Sequence, residues 1–204
     1  GPTSRPRSRN RLSRPDRASL QGVFGVTGTP GTGKKSVATL VARDLGLEEI
    51  SLDSVARRLG LVSPRGVVDQ DRLKEGLMHE RIRGAVLYGH LLPGVIGPKL
   101  LTGVVILRCE PSELKRRLRE RGYPESKVIQ NVEAELIGLV ASEAHGAFGS
   151  SAFECDTTGR TAQESARTIV RRFKGGTRRT RTLDWLGRYD TAAKLSGLLS
   201  WASR

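Results

Sequence analysis

The chain has 204 residues, 37% of them hydrophobic, and a formal net charge of +14 at neutral pH. That length suits one α/β domain with short appendages, and the composition is sufficient for a packed core. No apolar run approaches the ~20 residues of a membrane span, and no apolar stretch follows the arginine-rich start, so neither a membrane protein nor a secretory signal is expected.

In chain order, residues 1–20 form a basic arm, with six arginines against Asp16 in residues 1–17. Gly1-Pro2, with no initiator methionine, reads as a protease-cleavage scar. GVFGVTG (22–28) is a short apolar run ending in glycine, a buried strand entering a loop. KKSVATLVARDLGL (34–47) places Val37, Leu40, Val41 and Leu45 at helical spacing. EEISL (48–52) reads as a second strand and DSVARRLGL (53–61) as a helix. DQDRLKEGLMHERIRG (69–84) reads as a helix with Leu73, Leu77 and Ile82 on one face. GAVLYGH (84–90) and GVVILRC (103–109) are the third and fourth strands, with LLPGVIGPKL a Pro/Gly-punctuated loop between them. EPSELKRRLRERGYPESK (110–127) begins as a capped helix, and ESKVIQNVEAELIGLVASEA (125–144) reads as one long amphipathic helix. SAFECDTTGRT (151–161) is a fifth strand and a polar loop. AQESARTIVRRF (162–173) is a closing helix, with Thr161 and Glu164 set as a capping box.

After KGG (174–176) the composition shifts, which sets a domain over 21–176 and a basic, amphipathic tail over 177–204. Leu183, Leu186, Leu195, Leu198 and Leu199, with Trp185 and Trp201, predict a short helical tail that docks on something. Residues 171–204 hold nine Lys or Arg against Asp184 and Asp190, while the stretch between the two ends is nearly balanced. A compact enzyme tethered to a polyanion by two arms has this distribution; merely solubilising ends are the alternative. Nucleic acid fits the ends better than a membrane surface, because the N-terminal arm has no apolar face. Cys109 and Cys155 lack metal-ligand spacing and each ends an apolar run. Buried thiols in a reducing cytoplasm are expected, a disulfide being the alternative.

Strands alternating with helices predict an α/β fold: a doubly wound, five-stranded parallel sheet with helices on both faces. Ligands on such a sheet sit at the carboxyl ends of the strands. Gly28-Thr29-Pro30-Gly31-Thr32-Gly33-Lys34 lies at such an end and matches the phosphate-loop pattern. Its glycines let backbone N–H groups converge on a phosphate, the helix N-terminus adds partial positive charge, and Lys34 reaches the β- and γ-phosphates. The pattern then asks for Ser or Thr, which carries the metal-binding hydroxyl in many such loops. Here Lys35 stands there and Ser36 follows one place later.

GTPGTGKKS is similar to the loop of nucleoside-monophosphate kinases, in which Gly follows the lysine, Thr comes next and the metal is held largely through water. ISLDSVAR (50–57), VVDQDRL (67–73) and above all LRERGYPESKVIQNVEAEL (118–136), with its Asn131, Glu133 and Glu135, narrow the resemblance. They resemble the atypical adenylate kinases of isoenzyme-six type, known in archaea and eukaryotes and acting also in small-subunit ribosome assembly. The resemblance covers about residues 22–173. It implies a P-loop nucleoside-monophosphate-kinase fold with a short lid, and the reaction of ATP and AMP to two ADP with weak ATPase activity. It implies catalytic roles for Lys34, His90, Arg117 and Arg121, with AMP at Asp53 and Arg57. Adenine is expected against Thr158, Gly159 and Arg160, and Mg2+ at Ser36 and Asp53. A platform ribosomal protein of the small subunit and pre-ribosomal RNA are the implied partners. One departure stands out: where the family has an aspartate two places before the histidine, this chain has Tyr88 before His90. Tyrosine cannot replace a carboxylate near magnesium, and Asp53 is the carboxylate expected to act instead, through water. A nucleotide-dependent assembly chaperone with little turnover is the rival reading. A kinase for another small acceptor is a third.

Overall fold

The computed structural model describes residues 22–175 and 182–200; the arm assigned to 1–20, residues 176–181 and Trp201 lie outside the described residues. The described strands are β1 (Phe24–Gly28), β2 (Glu48–Ser51), β3 (Ala85–Tyr88), β4 (Gly103–Arg108) and β5 (Ala152–Asp156). They form one parallel sheet in the order β2-β3-β1-β4-β5. Parallel neighbours require crossovers, and the apolar helices between the strands supply them. α1 (Lys34–Leu45) and α8 (Ala162–Gly175) cover one face, where Val37, Val41, Ile169 and Phe173 meet Val26, Val105 and Phe153. α2 (Leu52–Arg58), α3 (Gln70–His79), α4 (Leu92–Val95) and α7 (Leu139–Phe148) cover the other, over Leu87, Val104 and Ile106. Buried on both faces, the central strands are continuous apolar runs rather than alternating ones.

A third cluster lies beside the sheet. α5 (Pro111–Glu120) and α6 (Glu125–Leu136) form a hairpin turning at Gly122 (φ +73°). Leu114, Leu118, Val128, Val132 and Leu136 face inward from it. The tail predicted to dock does so here. Residues 182–200, ending in α9 (Ala192–Leu199), lay Trp185 and Leu198 into this cluster, and Trp185 is 1% exposed.

Two expectations need correction. The long helix over 125–144 is two helices, because Gly138 (φ +66°) reverses the chain between Leu136 and Leu139. The Pro/Gly stretch over 91–100 is not all loop: Pro93 sits in the first turn of α4, where its missing N–H costs nothing. Tyr88 lies at the end of β3 beside Ser51 and within the field of Asp53. Its ring packs on the α1 face, and burial, together with the Glu49 carboxylate, raises the pKa of its phenol. Cys109 and Cys155 are free and buried, and Thr161 and Glu164 cap α8 reciprocally as expected, at 2.8 and 3.2 Å.

Candidate active site

The parallel sheet brings every strand's carboxyl end to one edge, and the functional side chains hang from the segments that follow. Gly28 to Lys34 wrap the end of β1. The Lys34 ammonium donates to the carbonyls of Gly28 (2.7 Å) and Thr29 (3.0 Å). Burial pulls its pKa down to about 8, against the attraction of Asp53 and Glu135, while Arg121 pushes the same way as burial. The charges that act on Lys34 thus come from α2, α6 and the α5–α6 turn. An arriving phosphate competes with the two carbonyls for this ammonium. Thr32 braces the loop internally, its N–H and hydroxyl both donating to the Thr29 carbonyl at 3.2 and 2.8 Å.

On one side of the loop lies a cavity of about 560 Å³, lined by Thr32, Gly33, Ser36, Arg117, Arg121, Gly159 and Arg160 among others. Gly159 and Arg160 belong to the turn after β5, as the sequence suggests. Thr158 does not line this cavity. Its hydroxyl donates to Asp156 (2.5 Å) and accepts from the Glu110 N–H (2.8 Å), clipping the turn to the start of α5. Arg117 is held in place: it donates to Glu113 (2.7 Å) and to the Thr157 carbonyl (2.8 Å). In the basic run, Lys115, Arg116 and Arg119 are also engaged, with tail carbonyls, Glu120 and Glu125. Arg121 is exposed and has no ion pair among the described residues, so it is the cation of this run left to meet an incoming phosphate.

Asp53 and Arg57 lie one turn apart on α2 and line a second cavity, of about 400 Å³, with His90 and Gln70. A wider cleft of about 1090 Å³ continues past Thr29, Pro30 and His90 to Tyr123, Lys127 and Asn131. His90 is placed by the Thr27 hydroxyl, which donates to the Gly89 carbonyl at 2.9 Å. Burial first, and then the Lys34 charge, hold His90 below its ordinary pKa, so it faces this cleft as a neutral imidazole near pH 7.

Ser36 and Asp53, the two expected metal ligands, open onto different cavities. Lys35 is exposed on α1. No cluster of three His, Cys, Asp or Glu stands together among the described residues. Magnesium needs no such cage. It takes one or two carboxylates and fills its shell with phosphate oxygens and water, and Asp53, close enough to act on both Lys34 and His90, is a donor of that kind.

Sequence reasoning did not foresee what holds the loop from behind. The Thr29 hydroxyl donates to the Glu135 carboxylate at 2.5 Å, and Glu135 also accepts from Arg108 (2.8 Å), the Cys109 N–H (3.0 Å) and Trp185 (3.0 Å). Arg108 reaches on to Glu154 at 2.8 Å, and His145 meets the other oxygen of Glu154 at 3.0 Å. A signal existed. Arg108 closes an otherwise apolar strand, and Glu135 falls on the same helix face as Val128, Val132 and Leu136.

A family model described as "AAA domain" matches residues 25–138. The chain is 36% identical over 173 residues to "Putative adenylate kinase" of Thermococcus onnurineus, covering 82% of this chain and 93% of the relative. It is 38% identical over 173 residues to the protein of the same description from Pyrococcus abyssi, with the same coverage. Among solved structures, it is similar to shikimate kinase from Acinetobacter baumannii in complex with shikimate (TM-score 0.58, 17% identity, 77% of this chain and 95% of that one). It is also similar to a gluconokinase from Sinorhizobium meliloti 1021 (TM-score 0.52, 19% identity, 76% and 93%). At those identities the likeness is one of fold: a P-loop kinase sheet.

Proposed function

The chain belongs to the P-loop kinase family of these archaeal adenylate-kinase relatives, and from that premise we propose that it catalyses the transfer of a phosphoryl group from ATP to AMP, yielding two ADP. The observation that carries this reading is a lysine-bearing phosphate loop whose Thr32 and Gly33 line a cavity with Arg121 and whose Thr29 and Pro30 line a cleft that meets the Asp53–Arg57 cavity at Gln70 and His90. Two anions can therefore approach the loop that holds this ammonium, each through a cavity edged by an arginine. The catalytic unit is the domain of residues 21–176.

The acceptor phosphate is already an anion, so no general base is needed. Its oxygen bonds to the γ-phosphorus, the bond to the β-bridging oxygen breaks, and ADP leaves with that oxygen. Catalysis then rests on position and positive charge. Lys34 bridges the β- and γ-phosphates, Arg121 closes from the α5–α6 turn, and Arg57 holds the acceptor phosphate. Arg117, pinned by Glu113 and Thr157, shapes the donor side, and Gly159 and Arg160 edge the nucleoside. Neutral His90 offers a hydrogen bond without adding charge. Mg2+, which P-loop kinases use with ATP, would be held by Asp53 through water and would neutralise phosphate charge.

The test mixes the protein with Mg2+ and ATP, with and without AMP, and follows ADP and AMP over time. ADP should accumulate at the expense of AMP, and Lys34→Ala should stop it. ATP binding with no effect of AMP would sink the kinase reading. It would leave the nucleotide-dependent chaperone, with only slow ATPase activity.

The resemblance and the basic ends support a finer reading: a cytoplasmic role in small-subunit ribosome biogenesis and rRNA maturation, on a platform ribosomal protein and pre-ribosomal RNA. Because residues 182–200 are packed into the third cluster, the test truncates residues 1–17 alone. Loss of six arginines should lower RNA affinity and flatten its salt dependence; an unchanged salt slope refutes the tether.

A further inference from the structure

The segment 182–200 is fastened at several points to the parts that grip the nucleotide. The Leu183 N–H donates to Glu154 (3.0 Å), and its carbonyl accepts from Arg108 (3.3 Å). Trp185 is sandwiched within reach of the Arg108 and Arg188 guanidinium groups and donates its indole N–H to Glu135 at 3.0 Å. The Tyr189 hydroxyl donates to Glu110 at the start of α5. Lys115, nearly buried on α5, donates to the carbonyls of Leu198 (2.5 Å) and Ser200 (3.0 Å).

Glu135 is where these restraints reach the phosphate loop. One of its oxygens accepts from Trp185, Arg108 and the Cys109 N–H, and the other accepts from the Thr29 hydroxyl. Thr29 is therefore held at both ends, its hydroxyl by Glu135 and its carbonyl by Thr32 and Lys34. All three groups of the chain Trp185–Glu135–Thr29 are at most 1% exposed. Water cannot substitute for a missing partner there, and a carboxylate that loses one donor must redistribute over the rest.

We infer that residues 182–200 act as a strap, with Trp185 and Glu135 as positioning residues that hold the phosphate loop in its nucleotide-binding shape. Neither residue lines the two cavities flanking the loop. Their influence runs through Thr29, so the grip on the nucleotide depends on a segment beyond the nucleotide-binding domain itself. The inference rests on the loop binding adenine nucleotides.

The test is a double-mutant cycle read as ADP dissociation constants by calorimetry, on the full chain, using Trp185→Phe, Thr29→Val and the pair. Trp185→Phe keeps an aromatic ring but removes the indole N–H. Each single change should weaken ADP about fivefold or more. The pair should depart from the product of the two by about threefold or more, because both act through one carboxylate. A Trp185 that merely stabilises the fold would lower the melting temperature and give effects multiplying to within about twofold, and that refutes the coupling. A fluorescence check needs no change at Trp185. With Trp201→Phe, Trp185 is the only tryptophan, and saturating ADP should shift its emission although it lines neither cavity; a silent signal counts against the strap. If the unaltered chain does not bind ADP at all, the nucleotide reading falls and the inference with it. ADP binding with independent effects removes the inference alone.

Discussion

Two loop glycines make a matched pair. Gly31 and Gly33 have nearly the same backbone dihedral, φ +97° and +95°. An alanine at either must adopt a left-handed conformation, costing about 1–2 kcal/mol, partly offset by about 0.4–1 kcal/mol from the stiffer unfolded chain. Their surroundings differ. A Cβ at Gly33 meets nothing within 4 Å, whereas at Gly31 it would lie 2.7 Å from Leu114 Cδ1 and 2.8 Å from Leu118 Cδ2. Both leucines are fully buried and cannot swing into solvent, so an overpacking cost of about 1–3 kcal/mol is added. Gly33→Ala should therefore lose about 1 kcal/mol and Gly31→Ala about 2–4 kcal/mol in urea unfolding at 25 °C. The excess should shrink when Leu118 is also shortened to alanine, which opens the space the new methyl needs. Equal losses in the two single variants would refute the account, since only the contact with α5 distinguishes them.

Arg108→Met should cost about 3–5 kcal/mol in the same assay, because it leaves the Glu135 and Glu154 carboxylates buried without their shared cation; a loss under about 1 kcal/mol would show that cluster to be solvated. With the Lys34 pKa near 8, the ammonium is largely deprotonated above that pH, and a bound phosphate favours the charged form. ADP binding at pH 8.5 should thus take up protons and weaken as pH rises, seen as buffer-dependent binding enthalpy that is small at pH 7 and absent in Lys34→Met. Burial pushes the Cys109 thiol up to about 12 and Cys155 up to about 11. Neither should react with a thiol reagent at pH 8 in the folded protein, and both should react in denaturant; rapid labelling of the native chain contradicts their burial.

The central strands β3 and β4 were legible because each is a short apolar run bounded by glycine or polar residues, and the loop because glycine, lysine and a following helix occur in a fixed order. Helix α1 and the α8 capping box followed from local spacing. The break between α6 and α7 was missed because Gly138 is one residue inside an uninterrupted amphipathic pattern. Tyr88 departs from the family's aspartate; the alternation along β3 sets its ring against the α1 face, with its phenol within the field of Asp53. Thr158, expected to meet adenine through its backbone, has its hydroxyl engaged by Asp156 and the Glu110 N–H, and Glu110 lies too far along the chain for local spacing to reveal.

By itself, the sequence determined the alternation of strands and helices, the phosphate loop and its lysine, and the cations available to it, because periodicity, turn chemistry and motif spacing are local properties. Only the tertiary structure decided which of those cations are free. Arg117 is pinned by Thr157, 40 residues away, while Arg121 is not. It also opened Ser36 and Asp53 onto different cavities, and it closed the tail over Glu135, 50 residues before Trp185. Those outcomes depend on partners distant in the chain, and a buried carboxylate takes its neighbours from whatever the fold packs against it.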